Sequence, residues 1–309
     1  MTRQPNRKSG RQTPKQASDK PKSDGGSKPR RPARQSGSRP TGSRPSGGRP
    51  TGGRQGGKGG PRGWDAVADW YHGWAGGQGS DHHQHRAIPA ALELLQLQKG
   101  EHLIDLGCGA GVFAPYAVEQ GARYTGVDVS PRLIRHARKD HGQQGRFLVG
   151  DARKLRQGKD IDAGSFDAAL FLLSIQDMDP LPPAIQTAAW ALRDGGRLVI
   201  VMTHPCFRIP RLTGWGFDEG RKLQYRRIDR YLSAQPIPMK AYSGTSGTTM
   251  SFHRPLSEYV SALASSGLLI DAFDELTTHA LPNDKAARRA EEEIPLFAAL
   301  RARKQLPPT

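Results

Sequence analysis

The residues with chemistry to offer follow apolar runs at regular intervals. Leu103-Ile104-Asp105-Leu106-Gly107-Cys108-Gly109-Ala110-Gly111 reads as a strand bearing an acid, running into three alternating glycines that open a helix. Glycines at that spacing let a ligand reach the main chain with no Cβ in the way. The pattern is GxGxG; a dinucleotide fingerprint, GxGxxG, would want its third glycine at Val112. A second carboxylate, Asp128, closes the next run 17 residues after Gly111, where a side chain can accept from both hydroxyls of a ribose. A third sits in Gly150-Asp151-Ala152, at the end of the run after that. Each aspartate alone reads equally well as a loop or cap residue. Three at successive strand ends make a nucleoside-shaped constellation.

The elements that must position them alternate in type. Trp64 to Tyr71 and Ile88 to Leu97 have helical spacing. Strands are predicted at 102–106, 123–127, 146–149, 166–172 and 197–202, the last opened by the turn Asp194-Gly195-Gly196. Helices are predicted at 112–120, 131–140 (with Ser130 as cap), 182–193 and 256–265, and two final strands at 268–274 and 295–303. Strand and helix in alternation imply right-handed crossovers and a doubly wound α/β sheet, which binds ligands beyond the carboxyl ends of its strands.

Composition narrows the function classes. The chain has 309 residues, 35% of them hydrophobic, and its apolar runs are only a few residues long; a bilayer needs about 20. A membrane protein is therefore excluded from the expectation. No apolar stretch follows the basic amino terminus, so a secretory signal is not expected either. Cys108 and Cys206 are the only cysteines and form no CxxC, which leaves no disulfide scaffold or cysteine zinc site and favours the cytoplasm. Asp81-His82-His83-Gln84-His85 could place His82 and His85 on one metal, but without a positioned carboxylate the bland reading is a polar helix entry, and no metal is expected.

Charge divides the chain at Gly63. Residues 1–62 hold 17 Lys/Arg against Asp19 and Asp24, a net +15, whereas residues 63–309 total +2. The first segment has no Val, Leu, Ile, Phe, Tyr, Trp or Cys and repeats a Gly/Arg/Pro unit of five residues. It cannot bury enough surface to order itself, so it is expected to be a disordered basic tail. Such a coil would reach about 40–45 Å. It is either a tether for RNA through its phosphates or a solubilising linker.

The ordered set Asp105, Gly107, Gly109, Asp128 and Asp151 resembles the class I S-adenosylmethionine-dependent methyltransferases, from about Trp64 onward. The resemblance implies a Rossmann-like, mainly parallel seven-stranded sheet with an antiparallel last strand. It implies that Gly107, Cys108 and Gly109 line the methionine moiety of S-adenosylmethionine and that Asp105 faces its amino group. Asp128 would bind the ribose, Val129 would pack on the adenine, and Asp151 with Ala152 would meet the adenine amino edge. Leu172 and Leu173, after the fourth strand, would touch the cofactor through their backbone. The segments 64–71 and 79–91 resemble the amino-terminal lid of small-molecule members of this class.

Methyl transfer needs alignment of a nucleophile, and a base only when the acceptor is protonated. Candidates are His204 after the fifth strand, Gln176 and Asp177 after the fourth, and Tyr71 in the lid. For each, a structural or solvent-facing role is the plainer alternative. Ser174-Ile175-Gln176-Asp177 is not the motif of adenine amino methyltransferases, and Pro205-Cys206 follows the wrong strand for a cytosine-type thiolate. Residues 203–254 read as a basic, aromatic insertion or lid, with net charge +6 and seven of the 21 aromatics. They point to an acceptor that is anionic, aromatic or both, or else to a packed lid with solvated charges.

The expected function is methyl transfer to a small molecule. The second candidate is a ribosomal or transfer RNA methyltransferase tethered by the tail. A non-catalytic RNA-binding protein and a nicotinamide oxidoreductase follow. The sequence does not fix an oligomeric state.

Overall fold

Near-continuous apolar strands, Leu103 to Leu106 and Ala168 to Leu172 among them, are what a sheet covered on both faces requires. The computed structural model describes residues 63–239 and 247–305 and has that sheet. Residues 1–62, with the expected tail, and Lys240 and Tyr242 of the expected insertion lie outside the described residues.

In chain order, α1 (Trp64–Ala75) is followed by a π turn (His83–Ala87), α2 (Ile88–Leu95), β1 (His102–Leu106) and α3 (Ala114–Glu119). Then come β2 (Arg123–Asp128), α4 (Pro131–His141), β3 (Arg146–Val149), β4 (Phe166–Leu172) and α5 (Leu181–Ala191). The chain continues through β5 (Leu192–Thr203), β6 (Thr213–Asp218), β7 (Leu223–Ile228), β8 (Gln235–Pro238) and β9 (Met250–His253). It closes with α6 (Leu256–Ser265), β10 (Leu268–Leu276), α7 (Lys285–Glu293) and β11 (Phe297–Lys304).

The main sheet has seven strands in the order β10-β11-β5-β4-β1-β2-β3. Strands β1 to β5 pair in parallel, and β11 is antiparallel to both β5 and β10. This is the mainly parallel Rossmann-like α/β sheet with an antiparallel last strand. The alternation along β4 builds both layers: Ala169 and Phe171 join the core under α5 and α6, while Ala168, Leu170 and Leu172 join the one under α2, α3 and α4. Because order reverses between β1 and β4, a crevice opens at their carboxyl ends.

Two polar devices fix the frame around that crevice. Buried Arg197 pairs with Glu101 and donates to the carbonyls of Leu95 and Gln96, satisfying the end of α2 beside β1. Ser130 caps α4 by accepting from the Leu133 amide at 3.2 Å, and its hydroxyl donates to Asp65 of α1 at 2.8 Å. Asp65 also accepts from the Arg132 amide, and Asp69 meets His136 at 2.9 Å. The acidic face of α1 is thereby pinned to the start of α4.

Five features depart from the sequence expectation. The predicted 194–196 turn is a bulge within a longer β5, whose register skips from Phe166↔Leu192 to Ala168↔Arg197. The π turn before α2, the β6–β7 and β8–β9 pairs, and α7 were not predicted. Strands β6 and β8 carry glycine or proline inside them, which removes the propensity signal. Helix α7 is short, charged and capped by Asp284, which accepts from Ala287 at 2.8 Å. Among the described residues no helix is long and apolar enough to cross a membrane.

Candidate active site

Beyond the ends of β1, β2 and β4 lies a cavity of about 320 Å³ walled by the glycine turn, the strand-end aspartates, α1 and β9. The turn is anchored beneath: the amides of Gly107 and Cys108 donate to the Val127 carbonyl at 2.7 and 3.0 Å. Gly107 has φ +79°, and a Cβ there would stand 2.7 Å from both Met178 Cε and Ser174 Cβ. Gly109, at φ +56°, opens toward Tyr71. Gly111 has a different task, since its missing Cβ leaves room for the Phe147 ring beneath the sheet.

Asp105 is fully buried at the cavity floor. Its Oδ2 accepts from the Tyr124 hydroxyl at 2.7 Å, while its Oδ1 is buried with no partner. Burial pushes its carboxyl up to about 7, against the Tyr124 hydrogen bond, which lowers it. An orphan acceptor of this kind fits an ammonium group arriving with a ligand. Asp128 is also buried; its two oxygens accept from the amides of Gly109 and Ser130 at 3.0 and 2.8 Å, tying β2 to the glycine turn. Burial raises its carboxyl despite those two bonds.

Val129, next to Asp128, is 58% exposed at the cavity rim, an apolar surface free for a flat ring. Asp151 and Ala152 line the same side. Asp151 is gripped by Arg153 through Nε at 2.8 Å and Nη2 at 2.7 Å, which holds its carboxyl below the ordinary value. Arg153 lines the cavity and donates to the Asp179 carbonyl as well. Sequence reading missed it, although an Arg two residues after a strand-end Asp was a usable signal. Cys108 is buried, and burial lifts its thiol well above the ordinary value, so it is a packing residue and not a nucleophile.

The wall opposite comes from the end of β4. Leu172 and Leu173 line the cavity, with Leu173 in the left-handed region at φ +52° and its amide fixed to Val201 O at 2.7 Å. Ser174 donates to the Leu106 carbonyl at 2.7 Å, and the 3₁₀ turn Ile175–Asp177 follows. Asp177 lines the cavity, held by side-chain hydrogen bonds from Trp64 and Ser251, and burial lifts its carboxyl to about 7. Trp64, Tyr71, Met250 and Phe252 complete an apolar, aromatic wall, with the Trp64 and Tyr71 rings edge-on at 5.2 Å. Met250 and Phe252 belong to a strand that sequence reading did not find.

Tyr71 and Asp177 are thus the base candidates that the fold brings to the cavity. His204 and Gln176 are not among its lining residues. His204 is buried at the far end of β5; its Nδ1 accepts from the Cys206 amide and its Nε2 faces Glu275 of β10 at 2.7 Å. Gln176 turns back to donate to the Leu173 carbonyl at 2.6 Å.

The positive charge expected beside the site is engaged elsewhere. Arg208 pairs with Glu291 at 3.1 Å, and Arg208 and Arg226 flank the Trp215 ring at 5.2 and 5.0 Å. Arg254 pairs with Asp179 at 2.8 Å. None of these guanidiniums is part of the cavity wall. His83 does line the cavity, but its Nδ1 is 2.9 Å from Ser80 Oγ and burial pushes its imidazole down to about 4. His85 stacks on His279 instead, and His82 meets the same ring edge-on. Among the described residues no group of three or more His, Cys, Asp or Glu is arranged to hold a metal ion.

Residues 104–200, from β1 into β5, match the family described as a methyltransferase domain. An 18S rRNA (guanine-N(7))-methyltransferase of Mus musculus is 36% identical over 95 residues, 30% of this chain and 32% of that protein. A demethylmenaquinone methyltransferase of Tropheryma whipplei is 32% identical over 117 residues, 38% of this chain and 48% of its own. The chain thus spans about a third to a half of the curated relatives it matches. A solved S-adenosylmethionine-dependent methyltransferase from Mesorhizobium loti superposes with a TM-score of 0.57 at 28% identity, covering 69% of this chain and 97% of its own. The glycine turn and its aspartates sit inside the matched segment, at the reversal point of the sheet, so residues 104–200 carry a methyltransferase domain of the S-adenosylmethionine-dependent kind.

Proposed function

We propose that the chain transfers a methyl group from S-adenosylmethionine to a small molecule bound against the aromatic wall of the cavity. The observation that carries this reading is the buried, partnerless Oδ1 of Asp105 beneath a glycine turn, in a residue on the wall of the cavity that α1 and β9 also line. Asp105 would take the ammonium of the cofactor, Gly107 to Gly109 its methionine part, and Asp128 its ribose hydroxyls. Val129 and Ala152 would pack on the adenine, with Asp151 held toward the ring edge by Arg153. When bound, the cofactor supplies a methyl group already activated on sulfonium. The remaining work of the chain is to exclude water, align the acceptor and receive its proton. Trp64, Tyr71, Met250 and Phe252 exclude water; Asp177 stands where a proton acceptor is needed.

A second reading, methylation of RNA, is favoured by the likeness to the Mus musculus 18S rRNA enzyme and by the +15 carried by residues 1–62. One experiment separates the two. The full chain is incubated with methyl-labelled S-adenosylmethionine and a cell extract, and RNA, protein and small molecules are then separated. Label in small molecules, insensitive to salt and lost in Asp128→Ala, is the expected result. Label in RNA that falls steeply between low and moderate salt would replace it with the RNA reading.

A further inference from the structure

Five carboxylates line the cavity, and their partners sort them. Asp151 is paired with Arg153, and Asp179 with Arg254. Asp128 is committed to the amides of Gly109 and Ser130. The other two have only neutral side-chain donors. Asp105 has the Tyr124 hydroxyl and sits under the glycine turn, on the side of the cofactor's ammonium. Asp177 has Trp64 and Ser251 and lines the same cavity as Tyr71, Met178, Met250 and Phe252. A buried carboxylate without a cation is costly unless its partner arrives with a ligand. For Asp105 that partner is an ammonium; on the side of Asp177 the cofactor's remaining cation is the sulfonium, which has no proton to donate, so a hydrogen-bond donor for this carboxylate has to come with the acceptor.

We propose that Asp177 is the proton acceptor of the reaction and that the methyl acceptor is a neutral, planar molecule carrying a dissociable O–H or ring N–H. The inference rests on the methyltransferase reading above. As the acceptor's lone pair forms its bond to the methyl carbon, the electrons of the methyl–sulfur bond remain on sulfur. The acceptor's proton passes to Asp177, and from there to water after the product leaves. Trp64 and Ser251 reach Asp177 from α1 and β9, so the base is oriented only when both walls are in place. The carboxyl, lifted to about 7, has the proton affinity that transfer near neutrality requires.

Of the other titratable groups around the cavity, Tyr71 is the rival base, and an undiminished preference in Asp177→Asn would point to it. From α1 comes Tyr71, and from the π turn His83, which burial holds neutral. Beyond β9, His253 is bonded to the Tyr231 carbonyl, and Arg254 is paired with Asp179. From α6, Tyr259 has its phenol raised by burial. Asp105 titrates in the same range, and saturating S-adenosylhomocysteine would hold it charged.

The test uses the full chain saturated with S-adenosylhomocysteine and two probe pairs that stay neutral at the assay pH: 4-methylphenol against 4-methylanisole, and benzimidazole against 1-methylbenzimidazole. Within each pair a methyl group replaces the dissociable proton. At pH 8 the wild type should bind one proton-bearing probe at least about tenfold tighter than its methylated partner, the worth of one charge-assisted hydrogen bond. The preferred pair identifies the acceptor as O–H or N–H. In Asp177→Asn the preference should collapse while S-adenosylhomocysteine affinity stays. If that variant also loses S-adenosylhomocysteine, Asp177→Ser, which also lacks the carboxylate, carries the same comparison. An undiminished preference in the variants, or no preference in the wild type, overturns the role of Asp177. Failure of the wild type to bind S-adenosylhomocysteine overturns the methyltransferase reading itself.

Discussion

Binding of the cofactor product should release a proton from Asp105. In the unliganded fold the carboxyl is lifted to about 7 by burial, with one oxygen on Tyr124 and the other partnerless. An ammonium can pair only with the ionised form, so the proton must leave on binding. The fraction protonated before binding is then about 0.9 at pH 6, 0.5 at pH 7 and 0.1 at pH 8, and that fraction is released as the complex forms. The dissociation constant should fall by about tenfold between pH 5 and 6, less to pH 7, and level off above it. Isothermal titration with S-adenosylhomocysteine in two buffers of different ionisation enthalpy measures the protons directly. Asp105→Asn should bind about 10- to 100-fold more weakly at pH 8, losing a charge-assisted hydrogen bond, and release none of them. Asp177→Asn, with its carboxylate across the cavity, should release as many as wild type. Release near zero at pH 6 in the wild type, or unchanged release in Asp105→Asn, would refute the assignment.

Folding carries the mirror image of this effect. The folded chain holds the Asp105 and Asp177 protons up to about pH 7, against ordinary values of 3.8. The folded state therefore binds more protons between those limits, and stability declines as pH rises through them. Urea melts of the unliganded chain should show this decline, and Asp105→Asn with Asp177→Asn should flatten it. Ser130→Ala removes both the α4 cap and the bond to Asp65; it should cost about 1 kcal/mol in urea unfolding and speed hydrogen exchange in α1. Gly107→Ala, strained at φ +79° and 2.7 Å from Met178 and Ser174, should weaken S-adenosylhomocysteine binding by tenfold or more, on the order of 1.4 kcal/mol. His204→Ala should lower the melting temperature and leave the pH profile of methyl transfer in place, because its imidazole is tied to Cys206 and Glu275 and not to the cavity.

The cofactor end of the site was legible because its residues follow strands in chain order. Asp105, Asp128 and Asp151 each close an apolar run, and a parallel sheet turns successive strand ends into neighbours. The acceptor end was legible only in part. Asp177 is recognisable as a polar residue after β4, but its burial depends on Trp64 and Ser251, which come from opposite ends of the domain and carry no local signal. His204 stood after a strand like the others, yet its surroundings are set by Glu275 on β10, a contact that exists only because β11 inserts antiparallel between β10 and β5. The hairpin β6–β7 escaped because Gly214 and Gly216 erase strand propensity where the Tyr225 ring lies across the backbone.

Net charge over a segment also misdirects when its partners are distant. The +6 of residues 203–254 pointed to an acceptor that is anionic, aromatic or both, or else to a packed lid; of those cations Arg208 and Arg254 find Glu291 and Asp179, and Arg226 lies against Trp215. What lines the cavity instead is an excess of carboxylates, since Arg153 is its only guanidinium and is matched by Asp151. Above about pH 7, where Asp105 and Asp177 ionise, the carboxylates leave the space negative in a medium of low dielectric, where like charge is repelled and cations are drawn in. A cofactor bearing a sulfonium and an ammonium suits that field; an acceptor bearing a carboxylate or phosphate does not. The same field favours a neutral acceptor that becomes nucleophilic only as its proton moves to Asp177. Anionic analogues of whichever probe binds, matched in size, should therefore bind more weakly than neutral ones, and the gap should widen as the pH rises through 7 and Asp177 gains its charge.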